Sequence, residues 1–186
     1  QGGAEVAAAF SALPFDHLVF TGSTAVGRKV MAAAAQHLTP LTLELGGKSP
    51  AIVCVDYPIE KAAARLATGK WFNAGQTCIA PDYVLVEGGQ QRVAALAHAL
   101  GVQVRQRYGD DLAASADYTR IINDGQYQRL MAHVADARAR GLDVRQLAEV
   151  PDNAAAQRLI APTLILQPDA QATVMGEEIF GPLLPI

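Results

Sequence analysis

The sequence predicts an α/β fold in which parallel strands are joined by crossover helices, and three observations carry that prediction. Helical and strand-like patterns alternate through the first 45 or so residues, the signature of such crossovers. Strand-like runs end in glycine-rich turns at Gly22-Ser23, Gly46-Gly47 and Gly88-Gly89. Hydrophobic residues make up 51% of the 186, enough for one sizeable core, or one domain and part of a second.

The elements follow in order. Ala4 to Leu13 reads as an alanine-rich helix stopped by Pro14, and His17 to Phe20 as a short buried strand. After Gly22-Ser23-Thr24, the stretch Ala25 to His37 keeps Val26, Val30, Ala33 and Ala34 at helical spacing, and Thr39-Pro40 ends it. Leu41 to Leu45 is the next strand and Ala51 to Val55 another. Asp56-Tyr57-Pro58 starts a helix with proline in its first turn, running to about Asn73 with Gly75 as its cap. Tyr83 to Val86 is a strand, followed by a helix with Val93, Leu96, Leu100 and Val104 on its apolar face. A further helix carries Tyr127, Leu130, Met131 and Val134 and stops at Gly141. Arg140 to Arg158 is polar and predicts an irregular surface loop, and Thr163 to Leu166 a strand. Gln1-Gly2-Gly3 resembles the tail of a strand-to-helix turn and Gly181 to Ile186 the start of a strand, so both ends are expected to continue into a longer protein.

Charge and composition exclude several classes. Lys and Arg total 15 against 18 Asp and Glu, a net charge of −3, which leaves no basic footprint for nucleic acid and no polybasic membrane patch. No apolar run approaches the ~20 residues of a membrane helix, and no signal-peptide pattern is present. Two cysteines make no disulfide framework, and reduced thiols fit a cytoplasmic protein. The two Cys and four His lack the short paired spacings of a zinc site. Cys54, inside the β-like run Ala51 to Val55, is expected to be a small buried hydrophobe.

Four segments could carry chemistry. In Thr21-Gly22-Ser23-Thr24-Ala25-Val26-Gly27 a strand feeds a small-residue turn into a helix. Such an N-terminus offers free N–H groups to a phosphate, though Ser23 equally fits an ordinary cap. Glu44, in Leu43-Glu44-Leu45-Gly46-Gly47-Lys48, ends a strand; a partly desolvated carboxylate there is poised as a general base, and a strand-end Glu reaching solvent fits as well. Lys48 reads as a solvated or salt-bridging residue. Cys78 follows a helix end in Phe72-Asn73-Ala74-Gly75-Gln76-Thr77-Cys78, where a thiolate can add to an aldehyde; an inert core cysteine is the plainer alternative. Glu177-Glu178-Ile179-Phe180-Gly181-Pro182 sets two acids before an aromatic and a Gly-Pro turn. A carboxylate there can accept both ribose hydroxyls, or the segment can be an acidic surface turn with Phe180 in the core.

The order and spacing of these segments resemble the aldehyde dehydrogenase family across nearly the whole chain. Glu44 and Cys78 lie 34 positions apart, in keeping with it. Cys78-Ile79-Ala80-Pro81-Asp82-Tyr83-Val84-Leu85, Tyr108-Gly109-Asp110 and Ile160-Ala161-Pro162-Thr163 resemble the class 3 branch and the bacterial coniferyl aldehyde dehydrogenases. The resemblance implies the end of a Rossmann-type nucleotide-binding domain at residues 1–46, then most of an α/β catalytic domain at 47–186. It implies Cys78 as nucleophile with its own N–H in the oxyanion hole, and Glu44 as the base for deacylation. Thr21, Gly22, Ser23 and Gly27 would lie at the cofactor's pyrophosphate, Leu45 beside the nicotinamide, Glu178 on its ribose and Phe180 flanking it. The cofactor would be NAD or NADP, the substrate a small aldehyde, coniferyl or another aromatic one, and the whole enzyme a homodimer. The family's oxyanion-hole asparagine and adenosine-ribose lysine would lie upstream, so the isolated chain is expected to be inactive and to expose apolar surface. Transfer of the thioester to coenzyme A is a second enzymatic reading, disfavoured by Glu44. A structural piece of the fold without turnover is a third.

Overall fold

The computed structural model describes residues 2–186, so Gln1 and its part of the opening turn lie outside the described residues. The chain divides into two compact units, one ending at Gly47 and one running from Lys48 to Ile186.

In the first unit α1 (Ala4–Ser11) precedes β1 (Leu18–Gly22), α2 (Thr24–Ala34) and β2 (Leu41–Leu45). The strands pair in parallel from Leu18↔Leu41 to Gly22↔Leu45, with α2 as the crossover that the alternation predicted. Both strands alternate half-buried and exposed residues, so one face is covered and the other open. Strand β1 runs on through Thr21 and Gly22, and α2 begins where the Ser23 hydroxyl accepts from Val26 N at 3.3 Å, a serine N-cap. Gly27 is buried: a Cβ there would sit 2.9 Å from Leu45 Cδ2. The missing side chain lets α2 lie close on β2. Helix α1 buries no residue and leaves Val6 and Phe10 exposed.

The second unit opens with β3 (Pro50–Val53), α3 (Ile59–Trp71) and β4 (Tyr83–Val86), again parallel strands about a crossover helix. Ala62, Ala63, Leu66, Ala67, Lys70 and Trp71 form the buried face of α3. They pack with Leu96, Ala97, Leu100 and Val104 of α4 (Gln90–Tyr108) in one core cluster. A second cluster gathers Leu130, Val134 and Ala137 of α5 (Asp124–Ala139) with Leu159, Ile165, Ile179 and Leu183. Tyr108 and Ala148 touch both. The last sheet runs β5 (Asp143–Gln146), β6 (Thr163–Leu166), β7 (Leu183–Pro185), with α6 (Thr173–Gly176) before β7.

Three expectations are corrected. The stretch Arg140 to Arg158 contains β5, which pairs antiparallel with β6. It is a polar edge strand whose Arg145 and Asp143 pair with each other in solvent, so it carries no hydrophobic alternation to read. Cys54 is exposed, because β3 ends at Val53 and Cys54 begins the turn out of it, its carbonyl accepting from Tyr57 N at 3.1 Å and Arg92 Nη2 at 2.9 Å. Helix α3 stops at Trp71 rather than near Asn73, for a reason that belongs to the site.

Lys70 is fully buried, and its Nζ has no hydrogen-bond partner among the described residues. Burial is the main cause that brings its pKa down from 10.5 to about 8, against the attraction of Asp82. An ammonium whose folded pKa is lowered is penalised wherever it is charged. The penalty stands in full below about pH 8 and is relieved as pH rises toward 10.5, where the unfolded chain binds the extra proton. The displacement is worth on the order of 3 kcal/mol. Lys70→Met, which keeps the volume and removes the charge, is expected to raise stability near neutral pH by up to about 3 kcal/mol. It should also abolish the gain in stability between about pH 8 and 10.5, both read by urea unfolding across pH. Unchanged stability and an unchanged pH profile would show that the amine is not desolvated.

Candidate active site

The thiol loop starts where α3 breaks. After Trp71 the backbone extends at Phe72, then turns left-handed at Asn73 (φ 54), Ala74 (φ 50) and Gly75 (φ 76). L-residues resist this conformation, glycine and asparagine least, so the loop has to be held from outside. Gly75 rests against the opposite turn so closely that a Cβ would lie 2.2 Å from the Gly181 carbonyl oxygen. Trp71 Nε1 donates to Pro182 O at 3.0 Å, and Tyr108 donates to Trp71 O at 3.1 Å. Gln76 clamps the other side: its Nε2 donates to Arg120 O at 3.1 Å and its Oε1 accepts from Ile122 N at 2.9 Å. Asn73 Nδ2 closes the loop onto Gln76 O at 3.1 Å. Cys78 emerges exposed, as do the apolar side chains of Phe72 and Ile79.

The turn that receives this loop, Glu177 to Pro182, is fastened by charge. Asp82 is buried; one of its oxygens takes the Lys48 ammonium and the other accepts from Ile179 N at 3.0 Å. Lys48 also donates to the carbonyls of Val174 and Glu177, each at 2.8 Å. From α5, Arg129 Nη1 donates to Glu177 Oε1 at 2.9 Å and to Glu178 O at 3.2 Å, while Nη2 donates to Ile179 O. His133 Nε2 meets Glu177 Oε1 at 3.1 Å and its Nδ1 meets Thr173 Oγ1 at 2.9 Å. Burial, then the Arg129 charge, holds the imidazole below its ordinary pKa. A neutral ring protonated on Nε2 serves both contacts, donating to Glu177 and accepting from Thr173. Asp136 Oδ2 accepts from Thr173 N at 2.9 Å. Glu178 is half-buried and Phe180 exposed, the latter left-handed at φ 48.

The structure therefore brings together three of the segments singled out in the sequence: Lys48, the loop to Cys78, and Glu177 to Pro182. In the first unit it sets Thr21 and Glu44 side by side in register on the open face of the sheet. Glu44 is exposed there, the solvent-reaching one of the two alternatives its strand-end position left open, because only the Leu43 and Leu45 face of β2 is covered. A Cβ on Gly22 would lie 2.6 Å from the Phe20 ring, the Ser23 hydroxyl caps Val26 N at the start of α2, and Gly27 packs against Leu45. Among the described residues no group of three or more metal ligands is gathered.

The sequence alone does not mark the residues that brace this site. Asp82 and Gln76 stand in it only as neighbours of the thiol, Lys70 only as part of a helix, and Arg129 is not singled out. A signal for the last existed: Gln126, Arg129, His133, Asp136 and Arg140 recur at three- and four-residue spacing, a polar stripe along α5. Lys70 falls at the same spacing on the apolar face of α3.

The model of the aldehyde dehydrogenase family matches residues 1–186. A probable coniferyl aldehyde dehydrogenase of Pseudomonas aeruginosa is 50% identical over 185 residues, covering 100% of this chain and 37% of that relative. A dimeric NADP-preferring aldehyde dehydrogenase of Rattus norvegicus is 46% identical over 172 residues, covering 92% of this chain and 36% of its own length. Among solved structures, the substrate-bound state of Staphylococcus aureus AldH matches with a TM-score of 0.87 at 39% identity, over 100% of this chain and 39% of that one. An NAD-dependent aldehyde dehydrogenase from Sinorhizobium meliloti matches at 0.84 and 30%, over 99% and 36%. The chain thus spans under two fifths of the length of the curated relatives named here.

Two outcomes follow from the loop geometry. Gly75→Ala must move backbone at Gly181 or abandon the left-handed turn, so it is expected to cost at least about 2 kcal/mol in urea unfolding; a cost near zero would show that the loop is not braced there. Residues 1–186 in their native fold should present two thiols to a disulfide reagent, Cys54 and Cys78. Cys54→Ser should leave one, and a silent remaining thiol would contradict the exposure of Cys78.

Proposed function

The chain belongs to the aldehyde dehydrogenase family, and from that premise we propose that the protein containing it oxidises an aldehyde to the carboxylic acid with NAD or NADP. Coniferyl or another aromatic aldehyde is the substrate class favoured by the coniferyl relative. The observation that carries the reading is the exposed thiol of Cys78 on a left-handed loop braced against the Glu178 to Gly181 turn. Residues 1–46 act as the end of the nucleotide-binding domain and 47–186 as the catalytic domain. As in the rat relative, named as dimeric, the assembly proposed is a homodimer.

Each step falls to a residue of this chain. The Cys78 thiolate adds to the carbonyl carbon, forming the C–S bond while the carbonyl π electrons pass to oxygen. The backbone N–H of Cys78 donates to that oxyanion, one contact of a kind worth a few kcal/mol in the transition state. When bound, the oxidised nicotinamide cofactor supplies the hydride acceptor, leaving a Cys78 thioester. Glu44 takes a proton from water, the hydroxide adds to the thioester carbon, and the C–S bond breaks to release acid and regenerate thiolate. Gly22 and Ser23 admit a pyrophosphate to the N-terminus of α2, with Thr21 ending the strand before it and Gly27 letting the helix lie close. Leu45 borders the nicotinamide, Glu178 accepts from its ribose hydroxyls and Phe180 flanks it.

The test follows reduced-nicotinamide absorbance in the full-length protein, with coniferyl aldehyde and a medium-chain aliphatic aldehyde and no added coenzyme A. Wild type is expected to turn over, Cys78→Ala to lose at least about 1,000-fold in kcat, and Glu44→Gln to give one burst of reduced cofactor and then stall. Turnover by Cys78→Ala at the wild-type rate would remove the nucleophile from this reading. Dependence on added coenzyme A would replace hydrolysis with acyl transfer.

A further inference from the structure

Glu178 reaches its place at the end of a peptide unit that is pinned from both sides. The carbonyl of the Glu178–Ile179 peptide accepts from Arg129 Nη1 at 3.2 Å, and its N–H donates to Asp82 Oδ1 at 3.0 Å. A cation and an anion therefore fix that peptide plane, and with Lys48 holding the Glu177 carbonyl of the preceding peptide at 2.8 Å the direction of the Glu178 Cα–Cβ bond is set between them. Arg129 goes further along the chain, to Ile179 O, the carbonyl just before the left-handed Phe180. Its own orientation is set by Gln126 Oε1, which accepts from Nε at 2.8 Å, and by Glu177 Oε1 at 2.9 Å. Arg129 serves four acceptors in this way, Gln126, Glu177, Glu178 O and Ile179 O, one more than the three donors of an ammonium could satisfy.

The rest of the turn has separate anchors. Lys48 holds Val174 O and Glu177 O, and Asp136 holds Thr173 N. Loss of Arg129 thus releases the carbonyls of Glu178 and Ile179 while the Asp82 bond to Ile179 N and these attachments persist.

We propose that Arg129 is a positioning residue that aims the Glu178 carboxylate by fixing the Glu178 and Ile179 carbonyls, and so sets affinity for the nicotinamide cofactor. This rests on the ribose-binding role proposed for Glu178.

The experiment uses the full-length protein, with Arg129→Gln, Arg129→Lys, Glu178→Gln, the double variant Arg129→Gln/Glu178→Gln, and Asp136→Asn as a control on a neighbouring anchor. KM for oxidised cofactor, kcat, Kd for reduced cofactor by fluorescence, Tm and the rate of Cys78 labelling are read for each. Arg129→Gln is expected to raise cofactor KM and Kd about tenfold, with the Cys78 labelling rate unchanged. Arg129→Lys, the variant for the case in which glutamine fails to fold, is expected to raise them by a smaller factor. The double variant should bind cofactor no worse than Glu178→Gln, because Arg129 acts through Glu178. Asp136→Asn should lower Tm without moving cofactor KM. The inference is overturned if Glu178→Gln weakens cofactor binding while Arg129→Gln and Arg129→Lys leave it at wild type, or if the double variant shows the two losses multiplied. If Glu178→Gln itself leaves cofactor binding unchanged, the role of Glu178 falls first, and this inference with it.

Discussion

Asp82 is a carboxylate buried in the second unit, and a buried charge must be paired and hydrogen-bonded or it destabilises the fold that contains it. Its two oxygens meet that demand by reaching across the sequence, one to Lys48 and the other to the backbone of Ile179. The pair joins the residue that opens the unit, the start of β4 and the turn before β7. Lys48 spends its remaining hydrogens on the carbonyls of Val174 and Glu177. With that attachment in place, the turn from Glu177 to Pro182 becomes a fixed surface on which other elements can rest.

The thiol loop is the element that rests there. Three successive left-handed residues are not a conformation that local sequence favours, and asparagine and glycine merely lower its cost. The loop persists because Gly75 lies against Gly181, Trp71 bonds to Pro182 and Gln76 ties its far side to Arg120 and Ile122. Backbone strain maintained by surrounding contacts is a common property of functional loops, and here it lies between the buried helix end at Trp71 and the exposed Cys78. Arg129 and His133 complete the support from α5, with a neutral imidazole accommodated between Thr173 and Glu177.

The first unit shows a simpler balance. Two parallel strands with one covered face set Leu41, Leu43 and Leu45 inward and Thr42 and Glu44 outward. Gly27 permits the close packing of α2 on Leu45, and Ser23 starts that helix at the end of β1. The open face that holds Thr21 and Glu44 follows directly from the period-two geometry of a strand.

The sequence by itself determined the elements whose signals are local. The alternation of helix and parallel strand, the Ser23 cap, the strand from Leu41 to Leu45 and the loop position of Cys78 all depend on spacing, capping and turn residues. The order of the motifs from Thr21 to Pro182 likewise carries the family, because it is a linear property. What lay beyond it depends on residues far apart in the chain. Strand β5 is polar and marked only by its partner β6. Cys54 looks buried by its apolar neighbours, but the strand ends one residue too soon to hold it inside. The fate of Lys48, Lys70, Asp82 and Arg129 was undecided until the tertiary structure placed them together. A charged side chain carries no local mark of whether water or another charge will solvate it, and that choice is made by the fold.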